Sequence, residues 1–124
     1  MAKLPEEVKK AIDKQDVFPV ATSCRDGKPN VVYIKYLKTI YENRVLIADN
    51  YLKKSRDNLI DNGNIAFVVL DDEKGSYQIK GTARTYENGP LYDEVQKWVP
   101  DKLPKVAAVE MQIESVYNGQ ERLV

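Results

Sequence analysis

Histidine is missing from this chain, and cysteine occurs once. Without an imidazole there is no Ser–His or Cys–His pair to activate a nucleophile, and one thiol leaves almost no common zinc arrangement. No metal site is expected. Cys24 cannot close a disulfide within the chain, which fits a reducing, cytoplasmic setting, and it reads as a small buried hydrophobe on a strand rather than a reactive thiol. An excess of one charge is missing too, with lysine plus arginine and aspartate plus glutamate at 19 each. No overall field would draw the chain onto a nucleic acid or an anionic membrane, so any anion site must be local. Apolar runs are strand-sized, far below the ~20 residues that span a bilayer, and residues 1–7 lack the apolar core of a signal peptide. Neither export nor membrane insertion is expected.

What is present suits a folded domain. The 124 residues are 43% hydrophobic and 31% charged, enough for one core and too few for two. A single domain over residues 1–124 is the expectation. If such a chain performs redox or group-transfer chemistry, a bound cofactor has to supply the electronics.

The pattern is mostly that of strands. Leu4, Val8, Ala11 and Ile12 mark a short amphipathic helix between Pro5 and Lys14. Residues 17–24 read as extended, Asp26-Gly27 as a tight turn, and residues 30–40 as one long return strand. Residues 44–49 and 65–70 read as buried strands, with a helix over about 52–61 between them that stops at Asn62-Gly63. A charged tip at 71–75 leads to a strand over 76–86 in which Gly81 suggests a bulge. Asn88-Gly89-Pro90 starts another helix, with Leu91, Val95 and Trp98 on one side. In the last strand Val109, Met111 and Ile113 alternate with Glu110, Gln112 and Glu114. Six strands with a crossover helix between the third and fourth predict a closed or nearly closed β-barrel with flanking helices; a sandwich accounts for the same strands.

The densest cluster of functional groups is the run from Ala48, Asp49 and Asn50 to Lys54, Ser55, Arg56 and Asn58, where a strand hands over to a helix. A helix start offers unpaired amides and a positive dipole end, and Lys54, Ser55 and Arg56 add two charges and a hydroxyl, so the joint suits a phosphate. The plainer reading makes the same lysines and arginine the solvated face of an amphipathic helix, with Asp57 balancing them.

Read in order, Ala48-Asp49-Asn50, Lys54-Ser55, Asn58-Leu59, Asn62, Asn64-Ile65-Ala66 and Val68-Val69 resemble a family pattern. There a strand leads to a Lys-Ser or Lys-Thr pair, then an Asn-Leu, a turn and a valine-rich strand. It is that of the FMN-binding split-barrel proteins related to pyridoxamine 5′-phosphate oxidase. Upstream, Ala21-Thr22 and residues 26–32 are similar to the family's opening hairpin, and residues 78–83 resemble its fifth strand. The resemblance implies a mainly β, six-stranded FMN-binding split β-barrel with flanking helices. It puts Lys54 and Ser55 on the FMN phosphate with Asn58 in support, and lays Val31, Val32 and Tyr33 along the flavin through backbone groups. It makes Ala48, Asp49 and Asn50 the cleft floor and Gln78 a polar contact. It also implies a homodimer with FMN at the subunit interface, to which Trp98 and Tyr117 are candidates to reach across. For all of these the plain alternative is packing.

The chain lacks the extra basic residues and arginine-rich end with which the oxidase grips its vitamin substrate, so the resemblance is to short members of the family. It implies an oxidoreductase passing electrons or hydride through FMN, with an unknown redox partner or small-molecule substrate. A second reading is a flavin-binding or electron-carrier module without turnover. A third, a single-stranded nucleic-acid platform built on the eight tyrosines and on Lys35, Lys38 and Lys80, is opposed by the balanced charge, and no nucleic acid is expected.

Overall fold

The protein is described by a computed structural model over residues 3–124. Helix α1 (Glu6–Lys14) carries Glu6 and Glu7 in its first turn and Lys14 in its last, each sign at the dipole end that favours it. It buries Val8, Ala11 and Ile12. Among the described residues eight strands follow: β1 (Phe18–Ser23), β2 (Pro29–Ile34), β3 (Leu37–Ile40), β4 (Arg44–Asp49), β5 (Asn64–Asp71), β6 (Gly75–Tyr86), β7 (Ala107–Asn118) and β8 (Glu121–Arg122). Helix α2 (Lys53–Asp61) links β4 to β5, and α3 (Pro90–Trp98) precedes β7.

The strands form one antiparallel sheet in the order β2-β1-β5-β6-β7-β4-β3, with β8 added to β7. The sheet curls into a half-barrel, a mainly β split barrel with three flanking helices. Its interior is filled by Phe18, Val20, Val45, Ile47, Phe67, Ile79, Met111 and Ile113, each at most 2% exposed. Phe18 and Phe67 meet edge to face at 6.1 Å. Strand β4 is buried on both faces, as its apolar run predicts, because Leu46 and Ala48 point into a second cluster beneath α3 with Val95, Val99 and Ala108. No helix among the described residues is long and apolar enough to cross a membrane.

Two expectations are corrected. The strand count is eight, not six, chiefly because the single strand expected over residues 30–40 is two, broken at Lys35-Tyr36. No proline or glycine marks that corner. It is made by a local Leu37 N–H to Lys35 carbonyl bond and by the Tyr36 carbonyl accepting the Ala48 amide. Strand β5, expected to be buried throughout, alternates instead: Ile65, Phe67 and Val69 face the interior while Val68 and Leu70 are 38% and 74% exposed. Periodicity alone does not register which face of a sheet is covered.

The bulge expected at Gly81 is present, where pairing slips from Lys80↔Ser115 to Gly81↔Ile113. Gly63, with φ 73°, ends α2 in the left-handed region that the Asn-Gly pair predicts.

Candidate functional site

The joint between β4 and α2 is built around one buried carboxylate. Asp49 is fully buried; one oxygen accepts the Leu52 amide at 3.1 Å and the Arg56 Nη2 at 2.9 Å, and the other accepts the Arg56 Nε. That bidentate pair fixes where the helix starts relative to the strand. It also takes Arg56 away from any anion at the helix start. The hydrogen bond to Asp49, then its charge, hold the Arg56 guanidinium above its already high ordinary value, against the opposing effect of burial. A raised folded value means that this charge's contribution is fully present below the unfolded value and fades only as pH rises through the folded one. Arg56 therefore stays charged across the working range.

The first turn of α2 has no side-chain cap, and its first intrahelical bond runs from the Arg56 amide to the Leu52 carbonyl. The amides of Lys53, Lys54 and Ser55 thus precede the helix's own ladder and face outward from its start. One flank of α2 is tied to the β1–β2 hairpin by polar groups. Asn30 Nδ2 donates to Ser55 Oγ (2.9 Å), Asn58 Nδ2 to Thr22 Oγ1 (3.0 Å) and Asn62 Nδ2 to the Ser23 carbonyl (2.7 Å). Arg25 completes the seam on Asp61 through its amide (2.6 Å) and its guanidinium (2.8 Å).

Beside this helix start lies a cavity of about 540 Å³, within the size range of small-molecule and cofactor sites. Its lining combines cationic and polar residues, Lys35, Lys53, Lys54, Asn50 and Ser55, with apolar and aromatic ones, among them Val32, Ile34, Tyr36, Ala48, Leu52 and Leu103. Among the described residues no carboxylate lines it. Asn50 accepts the Lys105 amide at 3.0 Å through its side-chain oxygen, so what it can offer a ligand is N–H donors. The same bond, with Val106 N–H to the Asp49 carbonyl at 2.8 Å, straps the loop that carries Leu103 against the joint.

Of the ten residues singled out from the sequence, the cavity gathers Val32, Tyr33, Ala48, Asn50, Lys54 and Ser55. Asp49 lies behind it, engaged with Arg56, and the Asn58 amide is turned to Thr22. Val31 is 65% exposed beside Val32 on β2, as strand alternation requires. Gln78 stands opposite Val68 and Tyr117 on the outward face of the sheet. Trp98 packs edge-on against Tyr36 at 5.7 Å with the Lys38 ammonium 4.4 Å from its ring centre, so it supports the cavity wall from behind. Lys35, Tyr36, Lys53 and Leu103 were not singled out for the site; Lys35 and Tyr36 sit at the unmarked corner, and Leu103 arrives from a distant loop.

The family profile described as pyridoxamine 5′-phosphate oxidase matches residues 4–119. An uncharacterized protein of Methanocaldococcus jannaschii is 36% identical over 124 aligned residues, which cover 95% of this chain and 82% of that one. Among solved structures, HupZ of Group A Streptococcus superposes with a TM-score of 0.85 at 26% identity, covering 96% of each chain. An FMN-binding protein from Syntrophomonas wolfei superposes with a TM-score of 0.70 at 18% identity, over 90% of this chain and 83% of that one. The fold is also that of a heme storage protein from Vibrio cholerae and of an F420 reductase, each at 15% identity and a TM-score of 0.69.

Proposed function

The chain belongs to the pyridoxamine 5′-phosphate oxidase family, and from that premise we propose that it binds FMN in the cavity beside α2 and passes electrons or hydride through it. The observation that carries this reading is the cavity's mixed lining. Lysines and the uncapped start of α2 border it together with apolar and aromatic side chains. FMN asks for both, with a phosphate dianion to hold and a flat ring to pack. The flavin, when bound, supplies the redox chemistry.

Lys54, Ser55 and the first-turn amides hold the phosphate. Asn50 donates to the ligand, and Val32, Tyr33 and Ala48 line the ring and chain, with Val31 contributing backbone only. Asp49 and Asn58 act indirectly, by fixing the helix to the strand and to the hairpin.

A second copy of the chain is part of the reading. Val31, Tyr33 and Leu70 are 65%, 77% and 74% exposed, and β-ladder pairing sets Tyr33 opposite Pro19 and Val31 opposite Ala21 on the outward face. Apolar surface of this kind favours association. Gln78 and Tyr117, on the same face, reach a flavin only across the interface of a homodimer.

The reading is tested by reconstituting the purified protein with excess FMN and desalting it; retained flavin absorbance with about one FMN per chain is expected. Lys54→Ala should weaken FMN by about 1–3 kcal/mol, since it removes one charge-assisted phosphate contact. A fluorescence titration giving an unchanged Kd would return Lys54 to the solvated face of the helix.

A carrier without turnover is the second reading, favoured by one feature: among the described residues no imidazole or carboxylate lines the cavity to serve as general acid or base. Bleaching of bound FMN by reduced nicotinamides separates the two.

A further inference from the structure

We infer that Asn30 is a positioning residue for anion binding in the cavity, acting through Ser55; the inference rests on the FMN reading above. Ser55 is 2% exposed and lines the cavity. Its one hydrogen bond among the described residues is received, from Asn30 Nδ2 at 2.9 Å. A serine hydroxyl has one hydrogen to give and two lone pairs to receive with. With an amide N–H pointed at the oxygen, the hydroxyl hydrogen is turned away from Asn30. A buried donor left without a partner is costly, and because Ser55 lines the cavity, a ligand bound there offers it one. Asn30 therefore makes Ser55 a donor toward the ligand, the role that a phosphate, which only accepts when fully ionised, demands.

The arrangement depends on the asparagine being a donor. Its carboxylate isostere reverses the bond: the aspartate would take the Ser55 hydrogen for itself and place a negative charge beside the phosphate. Shape is kept and polarity inverted.

The test compares FMN with riboflavin, which has the same ring and chain but no phosphate, by fluorescence titration of the purified full chain. The wild type is expected to prefer FMN by about a hundredfold. Ser55→Ala should lose at least about tenfold of the FMN affinity, Asn30→Ala about three- to tenfold, and Asn30→Asp about a hundredfold. Riboflavin affinity should stay at the wild-type value in all three. Asn30→Ala combined with Ser55→Ala should be no worse than Ser55→Ala alone. A loss shared equally by FMN and riboflavin would make Asn30 a structural residue only. So would Asn30→Asp binding FMN as the wild type does, or the two alanine effects multiplying. A wild type that binds the two flavins equally overturns the phosphate-cradle reading itself, and the role of Asn30 with it.

Discussion

Arg56→Ala is expected to destabilise the protein by about 3–5 kcal/mol, because it strips the partner from a carboxylate that has no access to water. Asp49 is 0% exposed and lies where β4 hands over to α2. With Arg56 gone, the Leu52 amide would be the one hydrogen-bond donor left to that charge among the described residues. The reciprocal change is milder. In Asp49→Ala the guanidinium, already 25% exposed, can turn toward solvent, and about 2–3 kcal/mol should be lost with the charge-assisted bonds. The double variant should cost less than the sum of the two, since neither charge is then stranded. Urea unfolding followed by circular dichroism measures all three. If Asp49→Ala costs more than Arg56→Ala, the carboxylate is not the buried member on which the joint depends.

Gly81→Ala should cost about 3 kcal/mol or more, through a clash with backbone rather than with an adaptable side chain. A Cβ on Gly81 would collide with the Gln112 carbonyl oxygen on the neighbouring strand and press on Met111 Cε at 3.2 Å. Rotamer changes relieve only the second contact. The first requires β6 and β7 to separate at their bulge, in the middle of the two longest strands of the sheet. The same unfolding series reads the effect; a loss below about 1 kcal/mol would show that the bulge absorbs a methyl group by shifting register.

Gly81 and the β4–α2 joint are also the places most open to reading from sequence. A glycine within an alternating strand has few structural uses, and a strand whose apolar run gives way to Lys54, Ser55 and Asn58 announces a helix start with donors on it. The corner at Lys35-Tyr36 was not readable. Residues 31–40 are mainly β-branched and aromatic with no glycine or proline among them, and the bend depends on Tyr36 meeting Ala48 and Trp98, contacts that exist only after folding. Since that corner brings Lys35 and Tyr36 to the cavity, the same blind spot hid two of its lining residues. The engagement of Arg56 was hidden for another reason. A cation beside a helix start looks equally available to a ligand or a carboxylate, and only the burial of Asp49 decides between them.

The seam between α2 and the β1–β2 hairpin has a thermal consequence. Along it Ser55, Asn58, Asp61 and Asn62 meet Asn30, Thr22, Arg25 and Ser23, so prising the helix off the hairpin wets amides and hydroxyls as well as the hydrocarbon of Leu59. Hydration of polar surface changes heat capacity in the opposite sense to hydration of oil. In the cold, where the barrel's oily interior loses some of its cohesion, this mooring keeps its grip.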